Sequence, residues 1–197
     1  MNKIKIYTRK GDNGTTSLFT GERINKNHPF IEALGAVDEG NSSLGIAISL
    51  LPTTDPVLIK AKTQLETIQH ALFDVGAALA TPRRSQETQK VERTSFDSEA
   101  TSQLEKWIDE MEEHLSPLKT FILPGGHPAG AVLHLSRTMI RRAERKVLPL
   151  YEQADVNQNV LIYLNRLSDY LFVLSRFVNH YLRVPETQWQ PHKIQES

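Results

Sequence analysis

The sequence predicts an all-α protein, a five-helix up-and-down bundle with an extended N-terminal segment. In five segments, apolar residues recur at spacings of roughly three, four or seven positions, which places them on one face of a helix. Strand signals are few, and the connections are short apart from one polar loop at about residues 81–97. The alternative is a small β element combined with helices.

Proline and glycine separate the predicted helices. The five helices are expected at about residues 29–51, 55–79 and 98–115, in the arginine-rich stretch that follows Pro124 to Pro128, and at about 155–182. Residues 1–27 lack a helical period, and Lys3 to Tyr7 form a short extended run. We expect a single domain over residues 1–183 and a flexible tail at 184–197.

Charge and cysteine content limit the classes of function. The 23 basic and 23 acidic residues cancel, so no broad field attracts nucleic acid or anionic lipid, and any anion site must be local. The chain has no cysteine, which excludes disulfides, thiolate metal sites and a cysteine nucleophile. It shows neither a signal-peptide pattern nor an apolar run that could span a membrane. We therefore expect a cytoplasmic protein with neither nucleic acid nor membrane as a partner.

The fourth predicted helix carries an arginine-rich face. At about 100° per residue, four of its charged side chains fall within an arc of roughly 100°. These are Arg137, Arg141, Glu144 and Arg145, and the expected packing face opposite them holds Val132, Leu135, Met139, Ala143 and Leu150. Guanidinium groups stay charged and bind two phosphate oxygens at once, so the face suits a polyphosphate. The alternative is a charged face that is merely solvated.

Residues 8–17 alternate glycine with hydroxyl and basic side chains. Glycine lets backbone N–H groups approach a phosphate, while threonine and lysine side chains can bind its oxygens. The segment is not a Walker motif, and no G-x-G-x-x-G pattern occurs in the chain. Many such glycine-rich segments are ordinary turns, which is the alternative here.

Two further segments carry polar or aromatic groups where a helical bundle does not require them. Residues 121–126 form an apolar, extended stretch that ends in a forced turn, or simply connect two helices. Asn165, Arg166 and Asp169 interrupt the most apolar helix, and they either pair with neighbouring residues or bind a ligand. The histidines lack zinc-site spacing, and no Ser-His-Asp nucleophile pattern is recognisable.

Five co-linear motifs resemble the ATP:corrinoid adenosyltransferases of the propanediol-utilisation type, and the resemblance covers about residues 3–183. The motifs are Tyr7 to Thr16 with Gly21 to Arg23 and Lys26, Val37 to Ser42, Phe121 to Gly126, Arg141 to Arg145, and Tyr163 to Tyr170. Gly40 departs from the leucine usual in the family, which concerns helix packing more than chemistry.

The resemblance implies a five-helix bundle, ferritin-like in general architecture, that assembles as a homotrimer. It implies ATP as co-substrate with Mg²⁺ carried on its oxygens, no metal held by the protein, and a corrinoid that meets ATP at a subunit boundary. Cobalt reduced to Co(I) would attack the 5′ carbon of ATP and expel triphosphate, giving adenosylcobalamin. An electron-donating reductase and an adenosylcobalamin-dependent enzyme are then possible partners.

The resemblance also assigns roles to individual residues. The ATP-binding residues it implies are Thr8, Arg9, Lys10, Gly11, Thr16, Ser17, Lys26, Arg141, Arg142, Glu144, Arg145 and Asn165. Phe121 would displace the lower axial ligand of cobalt, and Asp38 with Arg137 would bridge the ATP and corrinoid regions. We count Asp38, Phe121, Arg137 and Arg141 as the expected catalytic set. The rival hypotheses are a regulatory nucleotide-binding module and a purely structural bundle.

Overall fold

The computed structural model describes residue 7 and residues 9–191, and helices account for most of this part of the chain. The predicted all-α class is confirmed. The elements are β1 (Thr15–Ser17), β2 (Arg23–Asn25), α1 (Pro29–Leu50), α2 (Pro56–Leu79), α3 (Thr88–Arg93), α4 (Glu99–Glu112), α5 (Pro128–Glu152) and α6 (Gln158–Tyr181). The helix count differs from the prediction because the expected loop at 81–97 contains the short helix α3.

Local sequence accounts for the helix starts. Proline is the first residue of α1, α2 and α5, where its fixed backbone angle suits a helix and its missing N–H has no partner to lose. The residue before each proline caps the helix with its side chain. Asp55 Oδ1 accepts the Val57 N–H at 2.8 Å, and His127 Nδ1 accepts the Ala129 N–H at 3.2 Å.

Helix α5 lies between α1 and α6 and shares its most extensive contacts with them. Helix α2 packs on the outer side of α1, and α4 packs on α6. The core is formed where these helices meet, and its largest fully buried side chains include Tyr163, Tyr170, Phe30, Leu44, Leu65, Leu133 and Ile140. The order of contacts makes α5 the central helix of the bundle.

The packing face of α5 differs in part from the one predicted, although Ala143 and Leu150 are buried as expected. The main buried stripe runs through Leu133, Ser136, Ile140, Ala143, Val147 and Leu150, and Ala129, Gly130 and His134 are also buried near the start of the helix. Leu135 is half exposed and Met139 is only partly buried. A helix packed between two neighbours buries a stripe with alternating steps of three and four residues. This stripe is centred about a third of a turn from the arginine face and about a quarter turn from Arg137, so Arg137 sits at the edge of the core.

The N-terminal segment forms a small antiparallel hairpin. In its register Thr15 pairs with Asn25 and Ser17 with Arg23. This is the small β element that the sequence left open as an alternative, added here to the helical bundle. Of the extended run expected at residues 3–7, all but Tyr7 lies outside the described residues.

The first part of the expected tail is paired with the segment before α5. Ile122 forms an antiparallel bridge with Gln188, the Leu123 N–H donates to Thr187 O at 2.8 Å, and the Trp189 N–H donates to Phe121 O at 2.7 Å. These bonds join two segments that lie far apart in the sequence. Residues 192–197 lie outside the described residues.

Gly40 provides the close contact between α1 and α5. It is buried, and a Cβ at this position would lie 2.6 Å from Ile140 Cδ1, below any normal contact distance. Ile140 is itself fully buried, so it has little room to move. The departure at Gly40 is therefore matched to the size of Ile140 on the facing helix.

A buried histidine also links α5 and α6. His134 is 3% exposed, and its Nε2 lies 3.1 Å from Ser175 Oγ. Burial lowers the pKa of His134, and the neighbouring Arg137 guanidinium lowers it further, while Glu186 acts in the opposite direction. The imidazole is therefore held in its neutral form inside the fold.

None of the helices in the described part of the chain has both the length and the apolar character that a membrane crossing requires.

Gly40→Leu should lower the free energy of unfolding by about 1 to 3 kcal/mol, because the added side chain overpacks the α1 and α5 contact. Adding Ile140→Ala should recover part of the loss by making room. As a control, Gly45→Ala should be neutral or mildly stabilising, since a Cβ there would lie at an ordinary 3.6 Å from Gln69 Nε2. Urea titration measures all four proteins. A Gly40→Leu protein as stable as native would contradict the packing argument.

The native protein should lose free energy of unfolding as the pH falls because His134 becomes protonated on unfolding. The His134→Leu variant should not show this loss. Because the pKa is lower in the folded state than in the unfolded state, the unfolded state binds the proton first as pH falls below about 6.5. Native stability is therefore retained above that pH and lost as pH falls through the folded pKa. The difference in unfolding free energy between native and His134→Leu, measured from pH 8 to 5, should move in favour of the variant. A constant difference would show that His134 does not titrate this way.

Candidate functional site

Five of the predicted site residues line two separate clefts. The hairpin cleft has a volume of about 770 Å³ and lies between the β hairpin, α1 and α2; Thr16, Lys26 and Asp38 line it. The arginine cleft has a volume of about 580 Å³ and lies between α4, α5 and α6; Arg137 and Arg141 line it. The two clefts share no helix, so one chain does not bring the two halves of the predicted site together.

Lysine and glycine organise the hairpin cleft as the sequence suggested. The Lys26 side chain lies over Gly11, so closely that a Cβ on Gly11 would be 3.2 Å from Lys26 Nζ. The Lys26 N–H donates to Gly14 O at 2.9 Å, which holds this lysine against the glycine-rich turn. Because Gly11 has no side chain, the Lys26 ammonium group and the backbone of the turn can lie on the same surface.

Arg23 holds the glycine-rich turn together, although it is not among the predicted site residues. Its guanidinium donates to Lys10 O at 2.9 Å, to Ser17 Oγ at 3.4 Å and to Thr15 Oγ1. The signal that could have found it is its position opposite Ser17 in a hairpin. Arg23 thus acts as a brace for the turn.

The remaining N-terminal candidates are exposed around this turn. Arg9 has a positive φ of 59°, and its guanidinium lies 5.7 Å from the centre of the Tyr7 ring. Lys10 and Ser17 are exposed and contact Arg23 as described. Thr8 lies outside the described residues.

Three arginines on α5 form a column with no ion pair to any described residue: Arg137, Arg141 and Arg145 at successive intervals of four. Arg137 is partly buried, and its Nε is buried without a hydrogen-bond partner. Burial and the charge of Arg141 both lower the pKa of Arg137. Like charges four residues apart destabilise a helix, so the column carries a repulsion that no described carboxylate relieves through an ion pair.

Arg142 does not join this column. It forms an ion pair with Glu39 on α1, because five residues after Arg137 the helix has turned toward that neighbour. Glu144 and Asn165 are brought together across α5 and α6, where Asn165 Nδ2 donates to Glu144 Oε1 at 2.9 Å. The predicted helical set is therefore divided between two sides of α5.

Arg166 lies in the arginine cleft, although the sequence could not decide whether it pairs or binds. Its Nε donates to Glu105 at 3.0 Å and its Nη1 to Asp169 at 2.8 Å. The hydrogen bond to Glu105 and the contact with Asp169 raise its pKa. Arg166 is thus neutralised by its neighbours, whereas Arg137 and Arg141 form no ion pair with a described residue. Asp109 and Glu112 of α4 also line this cleft, again without an ion pair in the described part of the chain.

Phe121 is one of the most exposed apolar side chains of the described chain, at 81%. Its ring contacts Trp189 edge-on, with 6.4 Å between ring centres. An apolar ring held this far from the core is available to a ligand or another subunit.

Asp38 and Arg137 do not pair within the chain. Asp38 is exposed in the hairpin cleft and makes no ion pair with a described residue, while Arg137 faces the arginine cleft. The described residues also contain no group of three or more histidine, aspartate or glutamate side chains arranged to hold a metal ion.

The cobalamin adenosyltransferase family model matches residues 6–178, most of the chain. This chain belongs to the cobalamin adenosyltransferase family. The match confirms the resemblance found from the five motifs and the enzyme class it implied.

Named relatives agree with this family. The chain is 44% identical to the corrinoid adenosyltransferase MMAB of Mus musculus over 88% of its own length and 72% of that protein. It is 42% identical to the corrinoid adenosyltransferase PduO of Salmonella typhimurium over 88% of its length, and spans about half, 49%, of that longer protein.

Solved structures share the fold of this cobalamin adenosyltransferase. A phenylalanine-to-alanine variant of the PduO-type ATP:corrinoid adenosyltransferase of Lactobacillus reuteri, complexed with cobalamin and ATP, superposes with a TM-score of 0.86. The two sequences are 39% identical, and the alignment covers 95% of this chain and 100% of the other.

Proposed function

We propose that this protein transfers the 5′-deoxyadenosyl group of ATP to the cobalt of a reduced corrinoid, giving adenosylcobalamin and triphosphate. The observation that carries the proposal for this chain is the α5 column of Arg137, Arg141 and Arg145, whose charges have no ion-pair partner among the described residues. A triphosphate supplies the missing negative charge. The L. reuteri relative, which was solved with cobalamin and ATP, supports the same pair of substrates.

The reaction requires cationic side chains to stabilise the leaving triphosphate, and it does not require a general base. The cobalt of the corrinoid substrate, as Co(I), donates its electron pair to C5′ of ATP; a Co–C bond forms and the C5′–O bond breaks. Triphosphate leaves with the bonding electrons, so charge builds up on its oxygens in the transition state. Preorganised guanidinium groups stabilise such charge, and no side chain has to remove a proton.

Two surfaces support the binding of ATP. Gly11, Thr16 and Lys26 offer backbone N–H, hydroxyl and ammonium groups in the hairpin cleft, and Arg9, Lys10 and Ser17 surround them. Arg141 and Arg145 would bind the polyphosphate, while the Glu144 and Asn165 pair offers hydrogen bonds to the nucleoside. Arg142 would bind only if it leaves Glu39. Mg²⁺ would be carried on ATP oxygens.

The separation of the two clefts supports a site that is shared between subunits of a homotrimer. The hairpin cleft of one subunit would face the arginine cleft of the next, so that ATP contacts both. Phe19 and Phe73 support this arrangement, because both line the hairpin cleft and are more than half exposed. Asp38 would then meet the unpartnered Arg137 of the neighbouring copy and bridge the ATP and corrinoid regions.

Phe121 would occupy the lower face of the corrinoid. A bulky apolar ring excludes water and the lower axial base from cobalt, which makes reduction of Co(II) to Co(I) easier. The exposure of this ring supports the role. A reductase would supply the electron, and an adenosylcobalamin-dependent enzyme would take the product.

Arg141→Ala should reduce ATP-dependent formation of adenosylcobalamin by at least about tenfold, because one charge-assisted contact contributes about 1.5 to 3 kcal/mol. The assay mixes protein, ATP, Mg²⁺ and chemically reduced cobalamin without oxygen and follows the spectrum of the alkylated product. Lys146→Ala is the control, since this exposed α5 cation pairs with Glu32 and should keep native turnover. Native protein that binds ATP but forms no product would indicate a regulatory module instead.

Mixing two inactive variants should test the shared site directly. Lys26→Ala damages only the hairpin cleft and Arg141→Ala only the arginine cleft. If each site takes one cleft from each of two neighbouring subunits, random mixed trimers made by refolding the two together contain about one intact site in four. Activity should therefore recover to about a quarter of native, with sedimentation confirming trimers. A mixture that stays inactive would place the whole site in one chain.

A further inference from the structure

The segment that carries Phe121 has few contacts of its own. Residues 121–126 contain no helix, and the Phe121 ring touches the protein mainly at Trp189. Two backbone hydrogen bonds, at Phe121 and Leu123, tie the segment to residues 187–189. The position of the ring therefore depends on whatever holds residues 187–189 in place.

Arg176 on α6 holds that C-terminal segment. Its side chain is 7% exposed, and its Nε donates to Glu186 Oε1 at 2.8 Å while its Nη2 donates to Glu186 Oε2 at 3.4 Å. The same Nη2 donates to Ser116 O at 2.9 Å, on the chain that leads into the Phe121 segment. One guanidinium thus joins a core helix to the chain just before each of the two paired segments, with a fork geometry that lysine cannot reproduce.

Asn179, one helical turn further along α6, holds the other end of the segment. Its Oδ1 accepts the His127 N–H at 2.9 Å, and its Nδ2 donates to Gly125 O at 3.0 Å. Gly126 has a φ of +100°, and a Cβ on it would overlap the Asn179 side chain. The forced turn after Phe121 is therefore shaped around one buried amide.

We propose that three residues hold the Phe121 ring in position next to the corrinoid: Arg176, its ion-pair partner Glu186, and Asn179. They are positioning residues for Phe121. This inference rests on the proposed function, in which Phe121 occupies the lower face of cobalt. Residues 176 and 179 share one face of α6, and the segment between Ser116 and His127 is fastened to that face at both of its ends. The described part of the C-terminal tail then serves the active site as a support.

The physical reason is the entropy of an exposed loop. An extended segment with an apolar ring in solvent samples many conformations unless bonds to a rigid element restrict it. Removing the ion pair between Arg176 and Glu186 leaves the Phe121 segment hydrogen-bonded to residues 187–189. It detaches residues 187–189 from α6, however, so both segments can move together. The ring would then shield cobalt for only part of the time, while the ATP surfaces on the hairpin and α5 are untouched.

The first test uses Arg176→Met and Glu186→Gln in the full-length protein. Each should slow adenosylation that starts from Co(II) by about tenfold to a hundredfold, because a displacement of about 1 Å at an active site can cost up to about a hundredfold in rate. Each should keep the KM for ATP within about twofold. Each should also weaken the electron paramagnetic resonance signal of Co(II) that lacks its lower ligand. Arg176→Lys should lie between native and Arg176→Met.

Lys60→Met is the matched control. It removes an exposed ion pair with Glu110, between α2 and α4, and should match native protein in every measurement. If Arg176→Met does not fold, Glu186→Gln still tests the proposal. Glu186 lies outside the helices, so its substitution should leave the helical bundle folded. A KM for ATP that rises as much as the Co(II) rate falls would show a general structural role and overturn the proposal.

The second test asks whether Arg176 acts through Phe121. In a Phe121→Ala background, adding Arg176→Met should change the rate from Co(II) by less than about twofold, because the ring it positions is gone. Full additivity of the two losses would overturn the proposal. Native turnover with Co(I) prepared beforehand tests the proposed function separately, so failure of the positioning hypothesis leaves that result standing.

Discussion

The packing of α5 between α1 and α6 is the constraint on which the rest of the structure depends. Its buried residues face both neighbours, and the contact with α1 is close because Gly40 leaves room for Ile140. The long side chains of a helix fixed on two sides project along the edges of these two contacts. Arg137 and Arg141 therefore project into the cleft beside α4 and α6, while Arg142 turns back to α1.

That arrangement leaves an electrostatic cost that the folded chain does not offset. Three arginines four residues apart repel one another, and the most buried of them, Arg137, keeps an unpartnered Nε and a lowered pKa. Nearby Arg166 shows the contrast, because two carboxylates neutralise it and raise its pKa. The difference separates a charge that is paired within the fold from charges that are not, and it is the physical basis of the proposed triphosphate site.

Much of the fold could be predicted from sequence because its signals are local. Proline and a capping side chain mark three of the helix starts, and helical spacing gives the extents of α1, α2 and α6 to within a few residues. The packing face of α5 could not be predicted, since exposure of Leu135 depends on where two other helices lie. The short helix α3 was missed because its polar sequence buries no residue and so has no apolar period.

The sequence by itself determined the helical class, the family motifs and the residue types suited to a polyphosphate, because these depend on the order and spacing of side chains. Only the tertiary structure decided which of those side chains meet. It separated Lys26 and Asp38 from Arg137 by placing them in clefts that share no helix. It also joined Arg176 to Glu186 and Phe121 to Trp189, contacts that no local pattern encodes, because folding brings distant segments together.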